Sequence, residues 1–224
     1  GILDTESNIQ FGEGGAGTFS DGKLNTGIKD PRCRTVLEIL SEFGAGSDIL
    51  IDSKPHVGTD RLITTIKNIR REIIGCGGEV RFRTRFVSFG EKHGSIVSVV
   101  TEGADGAEEL LCSDMVLATG HSARDTFETL YAAGLTMTPK PFSVGARIEH
   151  PQSLIDRAQY GGFSENPLLG AADYKLFCHL PNGRGVYTFC MCPGGYVVNA
   201  SSESGGVVTN GMSFSDRNGT NANS

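Results

Sequence analysis

Apolar residues recur at helical spacing in the first third of the chain. The clearest repeat predicts a helix that begins near Thr59 and ends at Gly75, with apolar positions at intervals of four, three and four residues: Leu62, Ile66, Ile69 and Ile73. A shorter helix is predicted after Asp30 and Pro31, because an Asp can cap a helix and a Pro fits its first turn. This helix is expected to end at Gly44.

Short strands are predicted between and after these helices. The apolar run Asp48–Ile51 is one candidate. Four more candidates, separated by glycine or charged turns, predict a small antiparallel meander: Glu79–Arg83, Phe86–Phe89, Ser95–Thr101 and Glu108–Cys112. The near-continuous apolar run Asp114–Ala118 is typical of a strand buried on both faces of a parallel sheet. It stops at Thr119 and Gly120, and a helix is predicted over 123–133.

The order of these elements predicts an α/β fold. A meander, a buried strand, a glycine turn and a helix follow one another in doubly wound, Rossmann-like domains that bind FAD or NAD(P). We therefore predict part of such a domain over 1–139, with the meander as an insertion. Residues 140–224 carry more Pro, Gly and Asn, and predict part of a mixed α+β domain that faces the substrate. The polar residues from Arg217 to Ser224 are expected to form no closing strand.

Composition narrows the class of protein. Hydrophobic residues make up 38% and charged residues 21%, as in ordinary globular proteins. The net charge of -6 argues against nucleic acid or an anionic membrane surface as a partner. No apolar run approaches the roughly 20 residues of a membrane span. These features predict a cytoplasmic protein without a membrane partner.

The six cysteines are expected to be reduced thiols, because a chain of this size does not need disulfides. Cys178, Cys190 and Cys192 lie near His179 but lack the paired spacing of a zinc site, so we predict no metal. Alternation from Tyr187 onward favours buried thiols on a strand.

The first candidate site is a glycine-rich segment over 12–17. A run of residues without side chains lets a ligand approach the backbone, and successive N–H groups can face an anion. Hydroxyl and ammonium donors follow the glycines. The predicted cofactor-binding residues here are Gly14, Gly15, Ala16, Gly17, Thr18, Ser20 and Lys23. The alternative is a flexible glycine turn with no ligand.

The second candidate site follows the predicted buried strand. Thr119 and Gly120 would lie at the carboxyl edge of the sheet, where open α/β sheets bind ligands. His121 and Arg124 are predicted to face the cofactor. The alternative is that Ser122 caps the next helix and that Arg124 is solvated. His56 precedes a helix, and a structural role is the favoured interpretation for it.

Four motifs resemble a bacterial family of FAD-dependent dehydrogenases akin to the glutathione-reductase-like flavoproteins: Phe11–Leu24, Leu117–Asp125, Pro141–Pro151 and Tyr187–Gly195. The resemblance implies FAD bound across a doubly wound domain, with a second domain over the flavin. It implies that Gly14–Ser20 lies near the flavin, Val87 near the adenine and Gly120 near the pyrophosphate. Residues 12–17 have the spacing Gly-x-Gly-x-x-Gly, but no predicted strand leads into them and no predicted helix starts on them, so they are not the dinucleotide-binding unit that opens such proteins. An internal fragment is therefore expected.

The predicted function is that of an FAD-dependent oxidoreductase acting on an unidentified small molecule, with NAD(P)H as a candidate electron donor. A flavin monooxygenase or reductase is an alternative, as is a non-catalytic flavin- or nucleotide-binding sensor. Candidates for proton transfer are His121, Arg124, Arg147 and His150. For Arg147 and His150, a structural ion pair with the intervening Glu149 is the favoured interpretation.

Overall fold

The structure is a computed structural model that describes residues 2–19, 22–24 and 26–224, without the side chains of Ala16 and Phe19. It is a mixed α/β fold with small antiparallel sheets. The chain forms two compact units. The first combines Gly1–Glu72 with Gly145–Ser224, and the second is Ile73–Val144. The predicted domains, 1–139 and 140–224, divide the chain by function and not by compactness. They stay a prediction.

The two helices predicted in the first third of the chain are confirmed. Helix α1 spans Arg32–Leu40, and the Asp30 carboxylate accepts a hydrogen bond from the Arg32 N–H at 2.9 Å. A wider turn, Ser41–Ala45, follows α1, and Gly44 leaves helical geometry there with φ of 115°. Helix α2 spans Thr59–Gly75.

A small apolar core lies between α1, α2 and the segment that joins them. Its buried members are Ala45, Ile49, Val57 and Leu62. Ile49 belongs to a 3₁₀ turn, Asp48–Leu50, so the strand predicted over Asp48–Ile51 is wrong. The Ile51 N–H donates to the Asp48 carbonyl at 3.1 Å. The backbone bonds locally here, and a short apolar run does not by itself distinguish a strand from a buried turn.

The second unit contains the predicted meander. Strands β1 (Arg85–Lys92), β2 (Ser95–Gly103) and β3 (Gly106–Leu111) pair antiparallel in that order. The first of the four predicted strands, Glu79–Arg83, is wrong, because this segment is irregular. Arg81 there forms ion pairs with Glu79 and Glu108.

The apolar run Asp114–Ala118 is not a strand, which corrects the prediction of a buried parallel strand. It is irregular, and Val116 is 91% exposed. An apolar run becomes a strand only where another strand bonds to its backbone. Among the described residues, pairing with β2 ends where the Cys112 N–H meets the Val97 carbonyl. The helix predicted next is confirmed as α3, Arg124–Ala132.

The remainder of the first unit is rich in short strands, as predicted for 140–224. Strand β4 (Glu149–Pro151) leads into helix α4 (Gln152–Tyr160). The described strands of this region form three antiparallel pairs. Strand β4 pairs with β9 (Asn221–Asn223), and β5 (Phe177–His179) pairs with β6 (Gly185–Tyr187). The third pair is β7 (Tyr196–Asn199) with β8 (Thr209–Met212). Because β9 is a strand, the expectation of no strand after Arg217 is wrong. None of the helices in the described residues is both long and apolar enough to cross a membrane.

Candidate functional site

The glycine-rich segment adopts a backbone that only glycine accepts readily. Gly12, Gly14 and Gly15 have φ of 118°, 79° and 57°. The Gly15 N–H donates to the Gly12 carbonyl at 3.0 Å, and a 3₁₀ turn follows over Gly15–Phe19. A side chain at positive φ is strained, so the segment needs its glycines for conformation as well as for space.

One side of this segment packs against α2. Glu13 and Arg70 form an ion pair with Nε and Oε1 2.9 Å apart. A Cβ on Gly14 would come within 3.3 Å of Ile66 Cγ1. Thr18 is buried, and its hydroxyl lies 3.5 Å from the Glu13 carbonyl oxygen. The Thr18 hydroxyl therefore faces its own turn.

Three other glycines of the segment have open surroundings. A Cβ on Gly12, Gly15 or Gly17 would meet no heavy atom of the described residues within 4 Å. At these positions a flat ligand can approach the backbone without displacing a described side chain. This open backbone is the feature that fits a bound cofactor.

Lys23 connects the glycine-rich region to the start of α2 and to residue 191. It lies opposite His56 in an antiparallel bridge, and the Val57 N–H donates to the Gly22 carbonyl at 3.0 Å. The Lys23 ammonium donates to the Met191 carbonyl. Lys23 is thus engaged by the protein's own backbone.

Residues 213–215 lie against the N-terminus of α2. The Ser213 hydroxyl is 3.4 Å from His56 Nε2, and the Thr59 N–H donates to the Ser213 carbonyl at 3.2 Å. The Asp60 carboxylate accepts the Ser215 N–H at 2.9 Å and the Ser215 hydroxyl at 2.8 Å. Desolvation opposes the charge, but these hydrogen bonds outweigh it and lower the pKa of Asp60. His56 and Asp60 therefore have structural contacts.

The predicted ion pair around Glu149 is absent from the described contacts. Arg147 Nη1 donates to the Asn223 side-chain oxygen at 2.5 Å, and Glu149 accepts the Asn221 amide at 3.2 Å. His150 Nε2 lies 3.0 Å from the Tyr174 hydroxyl. The ion-pair interpretation is wrong because β9, which pairs with β4, supplies other partners for these side chains.

In the second unit, two of the predicted cofactor-binding residues, His121 and Arg124, contact Ser122. Its hydroxyl lies 2.8 Å from His121 Nδ1, and Arg124 Nη1 donates to the Ser122 carbonyl at 3.3 Å. Thr119 and Gly120 are exposed, and Gly120 has φ of 76°. The exposed backbone at these two residues is open to a ligand.

The predicted cofactor residues fall in both units. Gly14 to Thr18 and Lys23 belong to the first unit, and Val87 and 119–124 belong to the second. Val87 is half-buried at a bulge in β1, between the pairs Phe86 with Thr101 and Ser88 with Val100. Ser20 lies outside the described residues. That these segments bind one cofactor stays a prediction.

Sequence inspection missed the partners that fix these side chains. Ser215 is 155 positions from Asp60, and Asn223 is 76 positions from Arg147. No local pattern marks pairs so distant. His150 is predicted as a candidate for proton transfer, but its partner Tyr174 does not lie in any of the motifs.

The cysteines do not gather into a metal site. Within the described residues, no three His, Cys, Asp or Glu side chains are placed to hold a metal ion. Cys192 is buried and Cys190 is half-buried, but Cys178 is exposed. The expectation of buried thiols is therefore wrong for Cys178, which lies on a ribbon, β5 with β6, that is exposed along both strands.

One protein family and one individual protein are similar to this chain. Residues 141–224 match the model of a family described as "FAD-dependent protein, C-terminal domain-like". The chain is also 52% identical, over 225 aligned residues, to a protein of Clostridium beijerinckii that bears the name "Uncharacterized protein". That alignment covers 100% of this chain and 42% of the relative, so the chain spans less than half of the relative's length.

Proposed function

We propose that the chain is part of an FAD-dependent oxidoreductase and that its glycine-rich segment helps to hold the FAD. The observation that carries the proposal is the open space at Gly12, Gly15 and Gly17, where a Cβ would meet no heavy atom of the described residues within 4 Å. The match of 141–224 to a family described as FAD-dependent supports the choice of cofactor.

The residues fit a flavin nucleotide through the backbone more than through side chains. Thr18 and Lys23 are engaged within the protein, so the peptide groups of Gly14–Gly17 would make the contact in the first unit. The second unit, taken by itself, offers Gly120, His121 and Arg124 as candidates for contact with a nucleotide. Backbone N–H groups in consecutive positive-φ and 3₁₀ turns are suited to the negatively charged parts of a nucleotide.

FAD would supply the hydride or electron transfer, and this chain would supply position and electrostatics. The rigid glycine turn would hold the nucleotide close to the backbone. His121, whose Nδ1 is fixed by Ser122, has its other ring nitrogen available to hold or move a proton. NAD(P)H is the electron donor that we propose, and the substrate is an unidentified small molecule.

The doubly wound fold is also a proposal. The apolar run Asp114–Ala118 would become a strand if the longer protein supplied a neighbouring strand, which would cover Val116. The proposed boundary between the cofactor and substrate domains, at 139/140, is supported by the family match, which begins at residue 141. We place the protein in the cytoplasm, on the basis of its cysteine usage.

The test is the absorbance of the full-length protein. We expect a flavin spectrum in the purified protein that bleaches without oxygen when NADH or NADPH is added. A flavin that is inert to both nucleotides would favour a sensor. A full-length protein that binds no flavin, even after incubation with FAD, would contradict the proposal.

A glycine substitution tests the location. Gly17 has no positive φ, and an added Cβ would meet no atom of the described part of the chain within 4 Å, so Gly17→Ala should fold normally. If the flavin lies against this backbone, Gly17→Ala should weaken FAD binding about tenfold, equivalent to about 1.4 kcal/mol. Gly162→Ala is the matched control, because Gly162 has the same open surroundings. Equal FAD occupancy in both variants would place the flavin elsewhere.

A further inference from the structure

Arg147 is a half-buried cation without an acidic partner among the described residues. Its Nη1 bonds the neutral side chain of Asn223. The other edge of the guanidinium, formed by Nε and Nη2, makes no hydrogen bond or ion pair with any described residue, and Nε is buried. Buried charges in proteins are normally paired, so this edge indicates a missing anion.

Asn223 adds a second unused donor beside this cation. The residue is fully buried in β9, its side-chain oxygen accepts from Arg147, and its Nδ2 has no hydrogen-bond partner among the residues that the structure describes. An amide N–H that is buried without an acceptor costs about 1–3 kcal/mol. The amide orientation that serves Arg147 therefore leaves a donor available on the same side chain.

Gly211 on β8 makes room for the pair. A Cβ at this position would come within 2.6 Å of Arg147 Nη1 and 2.8 Å of Cys192 Sγ. Any other residue would displace the guanidinium or the amide. The fold thus holds Arg147 and Asn223 together. Among these contacts between described residues, the guanidinium is the only charged group.

We propose that Arg147 and Asn223 bind the carboxylate of a small-molecule ligand. The Nε–Nη2 edge of Arg presents two parallel N–H groups that match the two oxygens of a carboxylate. Asn223 Nδ2 is a further unused donor, on the side chain that Arg147 Nη1 contacts. One guanidinium balances the single charge of a carboxylate, whereas a phosphate dianion calls for further cations. The site is independent of whether the protein binds FAD.

Acetate is the probe, and the full-length protein is the sample. We would measure Tm as acetate is raised, against chloride at the same ionic strength, because a ligand that binds only the folded state raises Tm. Wild type should be stabilised by acetate beyond chloride. Arg147→Met should bind acetate at least tenfold more weakly. Arg184→Met removes an exposed arginine from the same unit and should respond as wild type.

Two more variants keep the test decisive if Arg147→Met fails to fold. Arg147→Lys retains the charge but lacks the two-donor edge, so its acetate affinity should also fall. Asn223→Asp supplies a carboxylate next to Nη1, and it should raise Tm without acetate and abolish the response to acetate. The proposal is overturned if acetate acts no differently from chloride on wild type, or if either Arg147 variant keeps the wild-type response.

Discussion

At the scale of single residues, Gly58 and Asp60 hold residues 213–215 against the start of α2. Gly58 has φ of 83°, and a Cβ there would come within 2.6 Å of the Ser215 Cα. Asp60 receives both the N–H and the hydroxyl of Ser215. The absence of a side chain at Gly58 and the carboxylate of Asp60 together fix the contact with Ser215. This contact is where substitutions in the first unit should have the clearest effects.

Gly58→Ala should destabilise the protein by about 2–4 kcal/mol, because the new methyl group adds backbone strain and a clash with Ser215. Urea unfolding measures this change. Gly162→Ala, at an open position, should stay within about 0.5 kcal/mol of wild type. Similar losses in the two variants would show that the approach of Ser215 does not restrict position 58.

Asp60 should contribute to the pH dependence of stability. Its pKa in the folded protein is lowered, so its contribution is present above the ordinary value of 3.8 and is lost as pH falls through the lower folded value. Asp60→Asn should therefore lower Tm at neutral pH, and the difference from wild type should shrink below about pH 4. A difference in Tm that stays constant from neutral to acidic pH would contradict this assignment.

At the scale of elements, the meander is set by its turns. Lys92 pairs with Ser95, and the two residues between them, His93 and Gly94, have φ of 54° and 79°. Two consecutive positive φ values define a type I′ turn, whose twist matches that of the flanking strands. Gly94 suits its position, but His93 adopts a conformation that Asn accepts better.

His93→Asn should stabilise the protein by roughly 0.5 kcal/mol, because Asn tolerates the left-handed conformation at the first turn position. His93→Val should destabilise it by about 1 kcal/mol, since a β-branched side chain is poorly accommodated at positive φ. Denaturant titration of both variants is the measurement. The opposite order of stability would mean that the turn does not limit the strength of the β1–β2 pair.

At the scale of the whole molecule, the chain exposes more surface than a folded protein of its size. Its accessible surface is 15533 Å² for 23.8 kDa. Folded monomers of this mass expose about 10,000 Å², and two separate compact units of the same total mass would expose roughly 12,000 Å². Large apolar side chains contribute to the excess, among them Val116, Phe142, Leu168 and Val207. The chain spans 42% of its Clostridium relative, and we propose that residues outside this chain cover the exposed surface in a longer protein.

The isolated chain should therefore bind the dye ANS more strongly, per molecule, than the full-length protein does. It should also unfold at a lower denaturant concentration, because less apolar surface is buried per residue. Equal dye binding and equal unfolding midpoints would show that the exposed residues are not covered in the longer protein.

The sequence by itself determined the features that depend on neighbouring residues. The cap at Asp30, the period of α2 and the turns between β1, β2 and β3 follow from interactions over a few positions. The positive φ values at Gly12, Gly14 and Gly15 belong to the same class, because a glycine cluster marks such a backbone wherever it folds.

Only the tertiary structure decided the partners that come from distant positions. The apolar pattern of Asp114–Ala118 indicates that this segment can be buried, but the segment forms a strand only when a second strand bonds to its backbone. In the same way, Glu149 lies two positions from Arg147, yet the guanidinium bonds Asn223, which the pairing of β9 with β4 brings close. Hydrogen bonds and ion pairs are decided by distance in space, and a residue pattern fixes that distance only within a helix turn or a hairpin.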